Sequence, residues 1–273
     1  MYLHALANAV PPSSFTQREC WEIFQNSEIR KSLKERTSKI VRKILLGPSG
    51  IRKRHFALCD VDRIFDLSAE ELNRAFEAEA PKLAESAVLR ALDQARLGPS
   101  DLDALFVCTC TGYICPGISS HLSEKLGLPA DAYLQDIVGL GCGAAIPTLR
   151  SAHHMLRAHN GNRRLRVAVV AVEVCSAAFY LDDEPGVIIS ACIFGDGASA
   201  SIWSNQPGET GLAIDGFDTV HLPENRELLR FVNAGGKLKN HLHRSIPVRA
   251  REAVQTLWGR RPRPGDTDRM IAH

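Results

Sequence analysis

No run of about 18 consecutive apolar residues occurs in this 273-residue chain, so no membrane-spanning helix is expected. Neither sign of charge is in excess. The 33 lysines and arginines stand against 31 aspartates and glutamates, and a net +2 gives no electrostatic reason for a nucleic-acid partner. The eight cysteines include no CxxC pair and no cysteine–histidine spacing of a zinc site, so no metal is expected. The opening MYLHALANAVPP has no charged segment ahead of its apolar residues and does not read as a secretory signal. A chain of this length can bury an adequate core without disulfide staples. These absences imply a soluble globular protein, in one large domain or two subdomains, with reduced thiols in a cytoplasmic setting.

What is present reads as alternating strands and helices. Residues 1–10 alternate weakly and suit a strand that ends at Pro11-Pro12, and residues 15–46 are helical in character. Ser68 with Glu71 three residues on is a capping-box signature. Pro81 is expected to interrupt that helix, with a second amphipathic run from Leu83 to Ala95 ended by Gly98-Pro99. The apolar run Ala104 to Cys108 suits a buried strand and leads into the Gly/Pro-punctuated loop TCTGYICPG. A short helix over Ser119–Leu126, stopped by Gly127, precedes a strand at Tyr133–Val138. Leu165 to Glu173 is the plainest strand, its unbroken apolar character matching a central parallel strand covered on both faces. Ala198–Trp203 is expected to be an alternating strand, Gly235-Gly236 a hairpin turn and Val248–Trp258 a helix. His153, His154 and His159 are expected at the surface or between helices, without a ligating role.

The stretch with the most chemical content is Gly139 to Pro147, GLGCGAAIP. Cys142 lies between two glycines, just before Ala144, Ala145, Leu149, Ala152 and Leu156 on a helical period. Pro147 is tolerated in the first turn, where its missing N–H goes unused. A thiol at a helix N-terminus faces free backbone N–H groups and the positive end of the macrodipole, both of which favour the thiolate. Cys142 is therefore a candidate nucleophile. The competing reading is an inert buried cysteine, the commoner fate of free thiols.

GLGCGAAIPTLR, then VAVVAVEVCSAAF and IFGDGASA, preceded by HALANAVPPSSFTQ, GIRKRHFAL and CTCTGYICPG, resemble in that order the type III polyketide synthases, the chalcone-synthase-like enzymes. The resemblance covers essentially the whole chain. It implies an α/β thiolase-like fold of αβαβα layers. Residues 1–205 would form the nucleophile-bearing half and residues 206–273 an incomplete second half, with Leu212–Phe217 expected as its first strand. Family members continue past the histidine that His273 matches, with a catalytic asparagine beyond it. The resemblance thus implies an exposed sheet edge and an inactive, poorly soluble isolated chain.

The residue roles it implies are specific. Cys142 would carry the acyl group and His273 would hold it as thiolate. Phe194 would gate the cavity, and Cys110, Thr111, Ala178 and Phe179 would line it. Cys115 would reach across a homodimer interface into the partner's cavity. Asn240 takes the place of a second pocket phenylalanine of plant members. Arg42 and Lys43, in the basic run from Lys39 to Arg54, would grip the phosphates of coenzyme A, against the alternative of a solvated helix face. Acyl-CoA and malonyl-CoA would be the substrates, with no metal or redox cofactor, no nucleic acid and no membrane. The rival functions are an initiating-type beta-ketoacyl synthase using an acyl-carrier protein, and a non-catalytic thiolase-like partner.

Overall fold

All five residues of Ala104–Cys108 are buried, which is why ALFVC shows no alternation of apolar and polar side chains. The computed structural model, which describes residues 1–58, 60, 63–159 and 162–260, builds the fold around this strand. In chain order, strand β1 (Tyr2–Ala9) and short strand β2 (Ser14–Thr16) precede helices α1 (Gln17–Asn26), α2 (Ile29–Ser32) and α3 (Glu35–Leu45), then strand β3 (Lys53–His55). Helix α4 (Ala69–Ala95) leads to β4 (Ala104–Cys108), α5 (Ile118–Leu126), β5 (Tyr133–Ile137), α6 (Ala145–Ala158) and β6 (Arg166–Glu173). They are followed by α7 (Pro185–Ile193), β7 (Gly197–Ser204), the hairpin β8 (Leu229–Ala234) and β9 (Lys237–Leu242), and α8 (Ile246–Gly259).

The main sheet has the order β1-β7-β6-β4-β5. β4 runs parallel to β5 and β6, while β7 is antiparallel to both β6 and β1. Alternation along the strands sorts side chains onto two covered faces. Leu105, Val107, Ala168, Val170, Ala200 and Ile202 meet α4 and α5 on one face. Ala104, Phe106, Val167, Val169 and Trp203 meet Ala152 and Leu156 of α6 on the other. Helix, sheet and helix thus form an αβα sandwich. A third cluster, including Phe24, Val41, Phe56, Phe179 and Ile188, joins α1, α3 and α7 beside the sandwich. No described helix is long and apolar enough to cross a membrane.

Several expectations are corrected. Pro81 does not divide its helix: α4 runs unbroken from Ala69 to Ala95 behind the Ser68–Glu71 capping box. An interior proline costs a helix about 3 kcal/mol. The burial of Ala80, Ala84, Ala87, Val88 and Ala91 against β1, β6 and β7 offsets that cost, and Pro81 itself is buried there. Nor do Gly98 and Pro99 end α4. The stop is Arg96, in the left-handed region at φ 55°, whose N–H bonds back to Leu92 and Asp93. Pro99 opens a separate turn of 3-10 helix.

Residues 212–217 do not form a strand. They touch the free edge of β1 through one bridge, Ala213 with Tyr2, flanked by Leu3 N–H to the Leu212 carbonyl (3.0 Å) and Ile214 N–H to the Met1 carbonyl (2.8 Å). β7 alternates in burial only over Gly197–Ala200; from there to Ser204 every residue is buried, because the strand lies between β1 and β6 and is covered on both faces. Of the histidines expected at the surface or between helices, His154 is exposed and His153 is buried, its ring edge-on to Phe217 at 5.5 Å.

Candidate active site

Parallel pairing aligns the carboxyl ends of three strands. Cys108 of β4 stands beside Ile137 of β5 and Ala171 of β6. Each strand therefore releases its loop at the same edge of the sheet, where open α/β sheets commonly build their sites. The β5 loop carries Cys142, the β4 loop carries Cys110 and Thr111, and β6 ends on Glu173 with Cys175 just beyond.

The β5 loop turns through Gly139 (φ 83°) and Gly141 (φ 58°), a left-handed backbone that an L side chain adopts only with strain. Cys142 then sits in the 3-10 turn Gly141–Ala144 that runs into α6, the residue in part open to solvent. The neighbouring Cys110 thiol, as hydrogen-bonding partner of the Cys142 sulfur, is the main reason the pKa of the Cys142 thiol is lowered from 9.0 to about 7. Burial and the Glu173 carboxylate push the other way, and the backbone N–H of Cys142 adds to the lowering. Cys110 is raised correspondingly, first because its proton is held in the bond to Cys142, then by burial. Cys175 is raised by burial. One thiolate, at Cys142, is therefore favoured among three neighbouring thiols.

Glu173 clamps the donor. Its carboxylate accepts from the Cys110 N–H (3.0 Å), the Thr111 N–H (3.0 Å) and the Thr111 hydroxyl (2.7 Å). The Thr111 oxygen in turn accepts from the Val174 N–H at 2.9 Å, so the β4 and β6 loops are tied in both directions. Asp196 performs a similar task one layer away. Its buried carboxylate accepts from the Ala57 N–H (2.6 Å), the Ser176 N–H (2.8 Å) and the Ser176 hydroxyl (2.5 Å). Desolvation raises its pKa against those bonds. The Gly195-Asp196-Gly197 segment thus anchors residues far apart in the chain.

Thr111, Ala178, Phe179 and Phe194 come together on a cavity of about 30 Å³, with Cys175, Tyr180, Ser190, Phe231 and Asn240 among its other walls. A second, apolar cavity of about 40 Å³ lies behind Phe179, against Phe24, Val41, Phe56 and Phe65. Other expected residues are not brought to the first cavity. Cys115 is exposed, ahead of a cis bond to Pro116. Arg42 and Lys43 are exposed in the last turn of α3, whose Val41 and Leu45 face the second cavity. Cys110 touches Cys142 but is not part of the cavity wall. His273 lies outside the described residues. Among the described residues, no group of three or more histidine, cysteine, aspartate or glutamate side chains is arranged to hold a metal ion.

Glu173 and Ser190 were not singled out from the sequence. The signal for Glu173 was a charged residue closing an otherwise apolar strand. Nothing in the local sequence marked Ser190.

A family model described as FAE1/Type III polyketide synthase-like protein matches residues 8–214, from β1 through the segment beside it. The chain belongs to this family. It is similar to 1,3,6,8-tetrahydroxynaphthalene synthase of Streptomyces coelicolor, at 27% identity over 188 residues, covering 68% of this chain and 49% of that protein. It is also similar to phloroglucinol synthase of Pseudomonas fluorescens, at 26% identity, covering 69% of this chain and 54% of that protein. The chain thus spans about half the length of these curated relatives. The crystal structure of the Streptomyces coelicolor tetrahydroxynaphthalene synthase superposes with a TM-score of 0.83 at 23% identity, covering 94% of this chain and 72% of that one. Germicidin synthase from the same organism gives 0.82 at 22% identity, over 94% and 73%. At that identity the structures establish the fold, which is the thiolase-like fold of type III polyketide synthases.

Proposed function

We propose that the protein is an acyltransferase of the type III polyketide synthase kind, condensing malonyl-CoA units onto an acyl chain held on Cys142. The observation that carries this reading is the placement of Cys142 in the turn that opens α6, at the sheet edge where β4 and β6 also deliver Cys110 and Cys175, beside a cavity walled by Thr111, Ala178, Phe179 and Phe194.

The Cys142 thiolate attacks the carbonyl carbon of an acyl-CoA thioester. A new carbon–sulfur bond forms, the bond to coenzyme A breaks, and the CoA thiolate leaves and takes up a proton. Malonyl-CoA then loses carbon dioxide, and the electron pair of the broken carbon–carbon bond becomes an enolate. That carbanion attacks the acyl carbonyl on Cys142, a carbon–carbon bond forms, and the Cys142 thiolate is expelled ready for another round. Cys110 keeps the leaving sulfur anionic by donating to it. In the family resemblance His273 serves the same thiolate and the enolate, through charge and hydrogen bonding.

Phe194 stands at the cavity wall in the gating role, and Arg42 and Lys43 are assigned to the phosphates of coenzyme A. The reaction uses coenzyme A thioesters and calls on no metal or redox cofactor. A homodimer, with Cys115 at its interface, in the cytoplasm completes the reading. It divides the chain into a nucleophile-bearing part, residues 1–205, and the start of a second part, residues 206–273.

Intact mass spectrometry after incubation with a panel of acyl-CoAs tests this reading, with Cys142→Ala as control. The expected result is an acyl adduct that maps to Cys142 and is absent from the variant. Folded, soluble protein that takes no adduct from any thioester would sink it.

A further inference from the structure

Arg54, on β3, is only 6% exposed, yet its guanidinium is only partly paired. Nη1 donates to the Ala191 carbonyl (2.7 Å) and the Phe194 carbonyl (2.9 Å) at the end of α7. The guanidinium carbon lies 5.0 Å from the centre of the Phe56 ring. The Nε–H is buried and has no acceptor. Among the described residues no carboxylate forms an ion pair with Arg54. A buried charge is costly unless a counter-charge meets it, and an unpaired buried donor adds to that cost.

Arg54 is the one charged residue in the wall of the apolar cavity behind Phe179. The rest of that wall is aliphatic, aromatic or thiol. Burial pushes the Cys192 thiol up to about 12, so this sulfur stays protonated and supplies no counter-charge. The cavity measures about 40 Å³. One water takes about 10–15 Å³ of such space, so about three or four heavy atoms fit. A carboxylate of one or two carbons has that size. Its oxygen can accept from the Nε–H and its charge can meet the guanidinium, while a methyl group lies against the hydrocarbon of Val41 and Leu45. Water in the same place would satisfy the donor and leave the charge unmet.

We propose that this cavity is a binding site for a small monocarboxylate of acetate size, held by Arg54. The site is separate from the acyl-transfer chemistry, and the inference does not depend on that reading. Phe179 and Ala191 belong to the walls of both cavities, so the bound anion backs the cavity that Phe194 lines.

The test is NMR on the folded protein with labelled valine and leucine methyl groups. The probe is carbon-13 acetate, compared with acetamide, a neutral molecule of nearly the same shape. The expected result is nuclear Overhauser contact between the acetate methyl and the methyls of Val41 and Leu45. Acetate should also bind at least about tenfold more tightly than acetamide, the margin of one hydrogen bond to a charged group. Cys20→Leu adds bulk to the wall and leaves Arg54 in place, and it should weaken acetate binding by a similar factor. No contact with Val41 or Leu45 up to molar acetate overturns the proposal. So does acetamide that binds as well as acetate, since the cavity would then take a neutral guest. Undiminished binding to folded Cys20→Leu places the acetate elsewhere and overturns it too. If that variant does not fold, the two wild-type comparisons decide.

Discussion

Replacing Cys110 with alanine removes the thiol that donates to Cys142, and the consequence can be worked out. In the wild type Cys142 titrates at about 7, against an ordinary 9.0. A donor to sulfur stabilises the anion and not the thiol, so losing it raises the pKa. The influences that remain include burial and Glu173, both of which raise it further, so Cys110→Ala should bring Cys142 to about 9 or above. At pH 7 the thiolate fraction then falls from about one half to about one hundredth, roughly fiftyfold. A more basic thiolate is intrinsically more nucleophilic, with a Brønsted slope of about 0.4–0.5, which returns about six- to tenfold over two units. The net result is a reaction about five- to eightfold slower at pH 7. Above about pH 8 the order reverses, because the variant's stronger nucleophilicity then outweighs its smaller ionised fraction. The assay is the rate of mixed-disulfide formation with dithiodipyridine between pH 5 and 10, resolved to the Cys142 peptide by mass spectrometry. Wild-type and variant curves with the same midpoint would refute the assignment of Cys110 as the activating donor.

Two further perturbations test the scaffold around the site. Gly112 leaves no room for a methyl group, since a Cβ there would lie closer than 3.0 Å to the buried ring of Phe76. Gly112→Ala should cost about 1–3 kcal/mol and lower the melting temperature, and an unchanged melt would show that Phe76 can yield. Asp196→Ala strips the acceptor from the Ala57 and Ser176 N–H groups and from the Ser176 hydroxyl. A loss of about 3 kcal/mol in urea unfolding is expected, and a loss under about 1 kcal/mol would mean that water replaces the carboxylate.

Much of the outline was legible in the sequence, because it depended on local signals. The Ser68–Glu71 capping box, the stop at Gly127, the apolar runs of β4 and β6 and the hairpin turn at Gly235-Gly236 are each decided within a few residues. Gly-Cys-Gly ahead of a helical pattern likewise placed Cys142 at the head of α6. The errors came where a distant surface outweighed the local rule. Pro81 stays helical because the sheet behind α4 receives that helix's alanine face. Leu212–Phe217 fails to become a strand because it makes a single bridge to the edge of β1.

Composition and periodicity determined on their own most of the strands and helices and the nucleophile candidate, and the order of motifs carried the family resemblance that implied the fold class and a pocket at Thr111, Ala178, Phe179 and Phe194. Only the tertiary structure decided which groups act on one another. Cys110 meets Cys142 because parallel β4 and β5 end at the same edge, and Glu173 holds Cys110 because β6 ends beside them. Asn240 enters the cavity because β9 packs on α7, 50 residues away from the Ser190 that holds it. Such pairings join residues far apart in the chain, and no local pattern encodes the distance between them.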